Sequence, residues 1–228
     1  MTISNQSRDR VKKVFEPIAL GMGRLGLTPD TLTLIGFAIT VVGAVLVSQQ
    51  LWLAGGLVIL IGGVFDMFDG TLARATGKVS SLGAFMDSVF DRWGEALVYL
   101  GIVIGSVASD FDEGAILAAA AMGAAFMVSY TRAKSEGLGF TSGTGMAAVG
   151  IMPREIRLVI LTVGLIAAGL IGTDNPSGDS AFFPSLEPGA YALIIALGII
   201  TIGATVTVIQ RILHVRHQAR SASIHPPQ

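Results

Sequence analysis

Four aspartates lie close together in the sequence, within the stretch FDMFDGTLARATGKVSSLGAFMDSVFD at residues 65–91. Asp66 and Asp69 are three positions apart, and Asp87 and Asp91 are four positions apart. On an α-helix either spacing puts two side chains on one face, about one turn apart. A short connection, ATGKVSS, joins the two segments, so the two acidic faces can meet between neighbouring helices.

These carboxylates are surrounded by apolar residues and therefore need cations. In a membrane helix each charged side chain costs about 2.5–3.5 kcal/mol, so four cost on the order of 10 kcal/mol. Arg74 and Arg92 are nearby, but two cations do not balance four acids. Oxygen ligands without His or Cys favour hard ions, which predicts two Mg²⁺ or Mn²⁺ ions. Structural ion pairs or a proton relay are the alternative.

The segments that carry the aspartates are apolar enough to cross a membrane. The chain has 228 residues, of which 52% are hydrophobic and 14% charged, whereas soluble domains are about 25% charged. Six segments have the roughly 20 apolar residues of a spanning helix. They predict an all-α polytopic membrane protein, one domain over 1–228, with spans near 31–48, 52–74, 82–107, 114–135, 154–172 and 189–211. The absence of cysteine excludes disulfides and thiol chemistry.

The basic residues predict which side of the membrane each loop occupies. With six spans, all fifteen Lys and Arg fall in or near the half that holds both termini and the loops at 74–81 and 132–153. The opposite loops, 49–51, 108–113 and 173–188, contain no basic residue. Cytoplasmic loops carry the excess of Lys and Arg. The protein is therefore predicted to lie in the cell membrane, with both termini and the aspartates on the cytoplasmic side.

The segment before the first span predicts a helix on the cytoplasmic membrane surface. Residues 8–26 combine basic residues with apolar residues at helical spacing. The sequence LTPD at 27–30 then predicts a turn, because Pro29 disfavours helix at Thr28. Asp30 is predicted to cap the helix that follows. Farther along, Gly101 and Gly105 predict close packing between helices.

Small residues lie on the same helix faces as the aspartates. Gly70 is one turn after Asp66, Gly83 is one turn before Asp87, and Ala73 continues the small-residue face. Glycine lets a ligand approach the backbone closely. This pattern predicts a smooth wall beside the metal site, suited to a flat base and a pyrophosphate.

A second group of cations comes from three other helix ends on the cytoplasmic side. If the helices pack around the aspartates, these cations converge on one pocket; they are Arg132, Lys134, Arg154, Arg157 and Arg211. Arginine suits two-pronged recognition of phosphate, and lysine acts as a point charge. The group indicates a ligand that carries a phosphate, with anchoring to lipid headgroups as the alternative. No nucleic-acid partner is predicted, because the basic residues lie at membrane ends.

The complete spacing resembles the signature of the CDP-alcohol phosphotransferase family: Asp66-x2-Asp69-Gly70-x2-Ala73-Arg74-x8-Gly83-x3-Asp87-x3-Asp91. The resemblance implies transfer from a cytidine diphosphate-activated donor, usually CDP-diacylglycerol, to an alcohol, with release of CMP. It implies that Asp66, Asp69 and Asp87 hold two divalent metals, and that Asp91 is the general base and an additional ligand. It assigns the donor site to Asp30, Gly70, Ala73, Arg74 and Gly83, and it implies a homodimer among membrane lipids.

The cation-bearing segments resemble those of the branch that makes phosphatidylinositol phosphate, or of its archaeal ether-lipid counterpart. This resemblance assigns the inositol phosphate to Ser129, Arg132, Lys134, Arg154, Arg157 and Arg211. The chain departs from the pattern in two ways: Arg132 precedes Lys134 instead of following a lysine, and Ile156 replaces an acid that here stands at Glu155. A phosphatidylglycerophosphate synthase that uses glycerol 3-phosphate is the runner-up. A cation or proton transporter is the alternative from another class.

Overall fold

The computed structural model describes residues 15–140, 146, 149–172 and 188–224, with side chains described as far as residue 220. These ranges contain seven α-helices and no strand. They are α1 at 15–24, α2 at Pro29–Ser48, α3 at Trp52–Thr76, α4 at Ser81–Ala108, α5 at Asp112–Gly137, α6 at Arg154–Ile171 and α7 at Pro188–Ile224. The all-α class is confirmed. The first part of the predicted surface helix, 8–14, and the predicted external loop at 173–187 lie outside the described residues.

Side chains and a glycine define the helix ends near the aspartates. Thr28 is extended (φ −94°, ψ 159°), and its side chain accepts a hydrogen bond of 3.2 Å from the backbone N–H of Thr31. Thr28 therefore caps α2, and the prediction that Asp30 is the cap is wrong, because Asp30 already lies in the first turn. There its charge suits the positive end of the helix dipole. Ser80 caps α4, and Gly77 ends α3 with φ +67°.

Within the part of the chain that the structure describes, four helices have the length and hydropathy of membrane spans: α2, α3, α5 and α7, the last over Pro188–Arg220. The chain is therefore a multi-pass membrane protein. α4 has 28 residues and α6 has 18, but both carry several charges, among them Arg154, Glu155 and Arg157 in α6. The count of six spans stays a prediction.

The helices pack so that α2, α3, α4 and α6 meet around the aspartates. α2 contacts α3 and α4, α3 contacts α6, α4 contacts α5, and α7 contacts α5 and α6. A Cβ at Gly101 would lie 2.4 Å from the carbonyl oxygen of Ala44, and one at Gly105 would lie 2.6 Å from that of Val47. The predicted close packing at these two glycines is therefore confirmed. The hydrophobic core of the helix bundle contains buried Ile59, Ile102 and Leu165.

The surface helix α1 packs on the helix that carries the first two aspartates. The rings of Phe15 and Phe68 are 5.1 Å apart between centroids. Ala19, Leu32 and Leu72 complete this buried cluster. Because Phe68 and Leu72 flank Asp69 along α3, the cluster holds the C-terminal half of α3 in place.

Candidate active site

Three of the four aspartates bring their carboxylates together between α3 and α4. One oxygen of Asp66, one of Asp69 and one of Asp87 all lie within 4.8 Å of one another. The short connection between Gly77 and Ser80 joins the two helices next to these aspartates, and the acidic faces predicted from the spacing meet. Asp69 is buried, while Asp66 and Asp87 are half-buried.

Asp69 is oriented by two hydrogen-bond donors. The hydroxyl of Thr33, on α2, donates to Oδ2 of Asp69 at 2.5 Å. The backbone N–H of Gly70 donates to Oδ1 of the same carboxylate. Hydrogen bonds of this kind fix the direction of a metal-ligating carboxylate. The sequence did not point to Thr33, because it comes from another helix and belongs to no acidic or basic pattern.

The carboxylates fit a site for divalent cations. Among the described residues, neither Asp69 nor Asp87 forms an ion pair, although both lie close to Asp66. Three carboxylates at this separation repel one another unless a cation lies between them. Oxygen-only donor sets select Mg²⁺ or Mn²⁺. The donor set therefore fits the ions that the sequence predicts.

Asp91 lies on the other side of Asp66 and shares an arginine with it. Nη1 of Arg154 is 3.0 Å from Oδ2 of Asp66, and Nη2 of Arg154 is 2.7 Å from Oδ1 of Asp91. Arg92 lies 3.9 Å from the second oxygen of Asp91. The fourth aspartate is thus held between two arginines, and Arg154 links α6 to both acidic helices.

A cavity of about 270 Å³, the glycine-walled cavity, opens beside Asp69 and Asp87 between α2, α3 and α4. A Cβ at Gly83 would lie 3.0 Å from Oγ of Ser80 and 3.4 Å from Oδ1 of Asp30, so any side chain at Gly83 narrows this space. The five residues that the resemblance assigned to the donor all line it: Asp30, Gly70, Ala73, Arg74 and Gly83. Lys78 adds a second cation to its wall.

A larger cavity of about 690 Å³, the basic cavity, lies between α4, α5, α6 and α7. It contains most of the residues that the resemblance assigned to the acceptor: Ser129, Arg132, Arg154, Arg157 and Arg211. Lys134 is not among its lining residues, and its assignment stays a prediction. Asp87 lines both cavities, and Asp91 lines the basic one, so the carboxylates form the boundary between the two spaces.

Protein oxygens already hold the cations of the basic cavity. Arg132 pairs with Glu136 at 3.0 Å. Arg211 is buried and donates to the carbonyl oxygens of Val149, at 3.0 Å, and Val128. Among the described residues Arg211 has no carboxylate partner, so its positive charge is not neutralised there. An anion that enters this cavity meets a cation in a fixed position.

Glu95 is the acidic residue that the sequence reasoning missed. Its carboxylate receives two hydrogen bonds of 2.8 Å from Arg157, which is 1% exposed, and lies 3.7 Å from Arg92. The signal was present, because Glu95 follows Asp91 by four positions and so continues the acidic face of α4 by one turn. The prediction that Arg157 binds an acceptor phosphate stays a prediction.

Known proteins match this chain along most of its length. The family model for CDP-alcohol phosphatidyltransferase matches residues 26–215. Archaetidylinositol phosphate synthase of Pyrococcus horikoshii is 36% identical over 157 residues, which cover 68% of this chain and 78% of that protein. Phosphatidylinositol phosphate synthase of Streptomyces avermitilis is 32% identical over 224 residues, which cover 96% of this chain and 85% of that protein.

Solved structures with the same fold include those of phosphatidylinositol phosphate synthase from Mycobacterium tuberculosis. The structure with CDP-DAG bound has a TM-score of 0.70 and 28% identity, and the match covers 89% of this chain and 94% of that one. The structure in complex with manganese and citrate has a TM-score of 0.73 and 27% identity, over 89% and 88% of the two chains. The family model, the relatives and the aspartate geometry agree, and the chain belongs to the CDP-alcohol phosphatidyltransferase family.

Proposed function

We propose that this enzyme transfers the phosphatidyl group of CDP-diacylglycerol to a hydroxyl of inositol phosphate, which releases CMP and yields phosphatidylinositol phosphate. The observation that carries this proposal is that two cavities share Asp87, one with a wall of small residues and one lined with arginines and Asp91. The names of the relatives support the same donor and acceptor.

The glycine-walled cavity suits the nucleotide half of the donor. Gly70, Ala73 and Gly83 leave room for a flat base and ribose against the helix backbones. Arg74 and Lys78 supply positive charge for the two phosphates, and Asp30 offers a carboxylate to hydrogen-bond donors of the nucleoside. The acyl chains then lie in the membrane next to the site.

Asp66, Asp69, Asp87 and Asp91 would hold two divalent ions, Mg²⁺ or Mn²⁺. Such ions, when bound, neutralise the donor phosphates and stabilise the charge that develops during displacement at phosphorus. The protein's own part is to fix the ligands. Thr33 and the Gly70 amide orient Asp69, and Arg154 ties Asp66 to Asp91.

The basic cavity suits the phosphate of the acceptor. We assign this phosphate to Ser129, Arg132, Lys134, Arg154 and Arg211, of which all but Lys134 line the cavity. Held there, the acceptor presents a hydroxyl to Asp91 at the boundary with the donor. Asp91 takes the hydroxyl proton, the oxygen forms a bond to the phosphorus of the lipid phosphate, and the bond between that phosphorus and the CMP oxygen breaks. CMP leaves with the electron pair of this bond.

We further propose that α4 and α6 complete six spans, that both termini and the site face the cytoplasm, and that the enzyme acts as a homodimer in the cell membrane. The charge asymmetry of the loops supports this orientation. The ends of α3 and α6 that carry Arg74 and Arg154 are the same ends that carry the aspartates and the two cavities.

An acceptor screen tests the proposed function. Purified protein in lipid with CDP-diacylglycerol and Mg²⁺ or Mn²⁺ is offered inositol phosphate, glycerol 3-phosphate or unphosphorylated inositol, and CMP release is measured. CMP release that requires inositol phosphate is expected. Turnover of glycerol 3-phosphate instead makes the acceptor assignment wrong and leaves the family unchanged. Ion flux in liposomes without CMP release contradicts the enzymatic assignment.

A further inference from the structure

Glu95 and Arg157 form the most enclosed ion pair among the described residues. Nε and Nη2 of Arg157 lie 2.8 Å from the two oxygens of Glu95, and Nη1 donates to the carbonyl oxygen of Met152 at 3.2 Å. The exposed fractions of the two side chains are 1% for Arg157 and 12% for Glu95. Each nitrogen of this guanidinium therefore already donates to a protein oxygen.

The pair connects α4 to the beginning of α6. Glu95 lies on α4, Met152 directly precedes α6, and the backbone N–H of Arg157 donates to the carbonyl oxygen of Pro153 at 3.2 Å. Arg154 is the first residue of α6, one turn before Arg157. The position of this first turn therefore determines where the guanidinium of Arg154 lies between Asp66 and Asp91.

We propose that the Glu95–Arg157 pair is a positioning brace of the acceptor site, and that Arg157 acts through it and not by contact with the acceptor phosphate. The inference rests on the proposed function, in which the basic cavity holds the acceptor. Glu95 also lies 3.7 Å from Arg92, so its single negative charge faces two arginines that line this cavity. With Arg157 bound in the brace, the arginines that remain for contact with the acceptor are Arg132, Arg154 and Arg211.

The rival assignment makes Arg157 a direct ligand of the phosphate. In that case Glu95 competes with the acceptor for the same guanidinium, and removal of its charge frees Arg157 and lowers the acceptor KM. If the pair is instead a brace, removal of the Glu95 charge loosens the start of α6 and displaces Arg154, and the acceptor KM rises. The two assignments thus predict changes of opposite sign.

The experiment compares wild type with Glu95→Gln and Arg157→Lys in lipid, with CMP release as the measured rate. In both variants the KM for inositol phosphate is expected to rise about tenfold, the size of one weakened charge-assisted hydrogen bond. Arg157→Lys keeps the charge but cannot make the two-pronged contact with Glu95. The KM for CDP-diacylglycerol is expected to change by less than about twofold in both, because the donor cavity shares no residue with the pair.

Glu113→Gln, at the exposed start of α5, serves as the charge-matched control and is expected to behave as wild type. In the double variant, with Glu95→Gln and Arg157→Lys together, the acceptor KM is expected to rise no further than in either single variant, because each change alone already removes the same brace. An unchanged or lower acceptor KM in Glu95→Gln overturns the proposal, as does a wild-type acceptor KM in Arg157→Lys. If Glu95→Gln does not fold, Glu95→Asp takes its place: the shorter side chain weakens the contact with Arg157, and a higher acceptor KM supports the brace whereas an unchanged or lower one overturns it. If the wild-type enzyme uses an acceptor other than inositol phosphate, the proposed function is contradicted and the brace is not. The same variants then test the brace with that acceptor.

Discussion

The two cavities that meet at the aspartates are built in different ways. The glycine-walled cavity takes its walls from residues 29–87, on α2, on α3 and on the beginning of α4. Its shape depends on small side chains and nearby backbone, as at Gly83. The basic cavity takes its walls from four helices between residues 87 and 211, and its character depends on long charged side chains. The cavity that we propose for the donor is thus formed by residues close together in the sequence, whereas the cavity that we propose for the acceptor is formed by residues far apart in it.

The charges of the two cavities also differ before any ligand binds. In the glycine-walled cavity, Arg74 is exposed and its described contact is a 3.5 Å hydrogen bond to Thr71. In the basic cavity, Arg132, Arg154 and Arg157 all have carboxylate partners. If the basic cavity holds the acceptor as we propose, the acceptor phosphate competes with ion pairs of the protein. Arg74 forms no ion pair among the described residues, so no such competition is expected for the donor.

The largest expected effect comes from Asp91, which belongs to the boundary between the cavities. Asp91→Asn removes the group that takes the proton and is expected to lower kcat by about 10²–10⁴-fold, the range for a general base. The donor KM should change little, because Asp91 does not line the glycine-walled cavity. Rates of CMP release measure the effect, and Mn²⁺ titration is expected to show that metal binding is largely retained. Full activity in this variant contradicts the assignment of Asp91 as the base.

A change at Arg211 is expected to affect the basic cavity alone. Arg211→Gln removes a buried cation without a carboxylate partner among the described residues, so the acceptor KM should rise by roughly 10- to 100-fold. The donor KM should stay within about twofold, since Arg211 does not line the other cavity. Arg216→Gln, on the exposed part of the same helix, is the matched control. A parallel rise in the donor KM would show that the cavities are not independent.

The contrast between local and tertiary construction also explains what the sequence could predict. The aspartate faces and the glycine wall follow from spacings of three and four along helices, which need no knowledge of packing. The same spacing rule separates Lys134 from Arg132. The two residues are two positions apart, so their side chains point to different sides of α5, and of the two only Arg132 lines the basic cavity.

Other contacts could not be read from spacing at all. Arg157 is 62 positions from Glu95, and Arg211 is 83 positions from Val128. Whether an arginine near a membrane surface faces a carboxylate, a carbonyl oxygen or a ligand depends on which helices become neighbours. The sequence therefore indicated that the cations converge, and the structure was needed to show what each of them contacts.

A single methyl group at Gly83 is expected to affect only the donor. In Gly83→Ala the new Cβ would lie 3.0–3.4 Å from Ser80 and Asp30, tighter than ordinary contact, and it would reduce the space for the nucleotide. The KM for CDP-diacylglycerol should rise about fivefold while the acceptor KM stays the same. Gly123→Ala, where a Cβ meets no atom within 4 Å, is the control. A higher acceptor KM with an unchanged donor KM would show that the glycine-walled cavity binds the acceptor and not the donor.

The smallest expected effect comes from the exposed pair of Arg132 and Glu136 in the basic cavity. Their side chains are 51% and 40% exposed, so the pair is screened by water and contributes little to stability. Glu136 still competes with the acceptor phosphate for Arg132. If the Glu95–Arg157 pair is a brace, Glu95 does not compete with the phosphate in this way. Glu136→Gln should therefore lower the acceptor KM, by at most about fivefold, the interaction of two charges 4 Å apart in water. The change should disappear in high salt, because added ions screen exposed charges. Opposite signs for Glu136→Gln and Glu95→Gln, measured at one salt concentration, would separate a carboxylate that competes with the acceptor from one that positions its site.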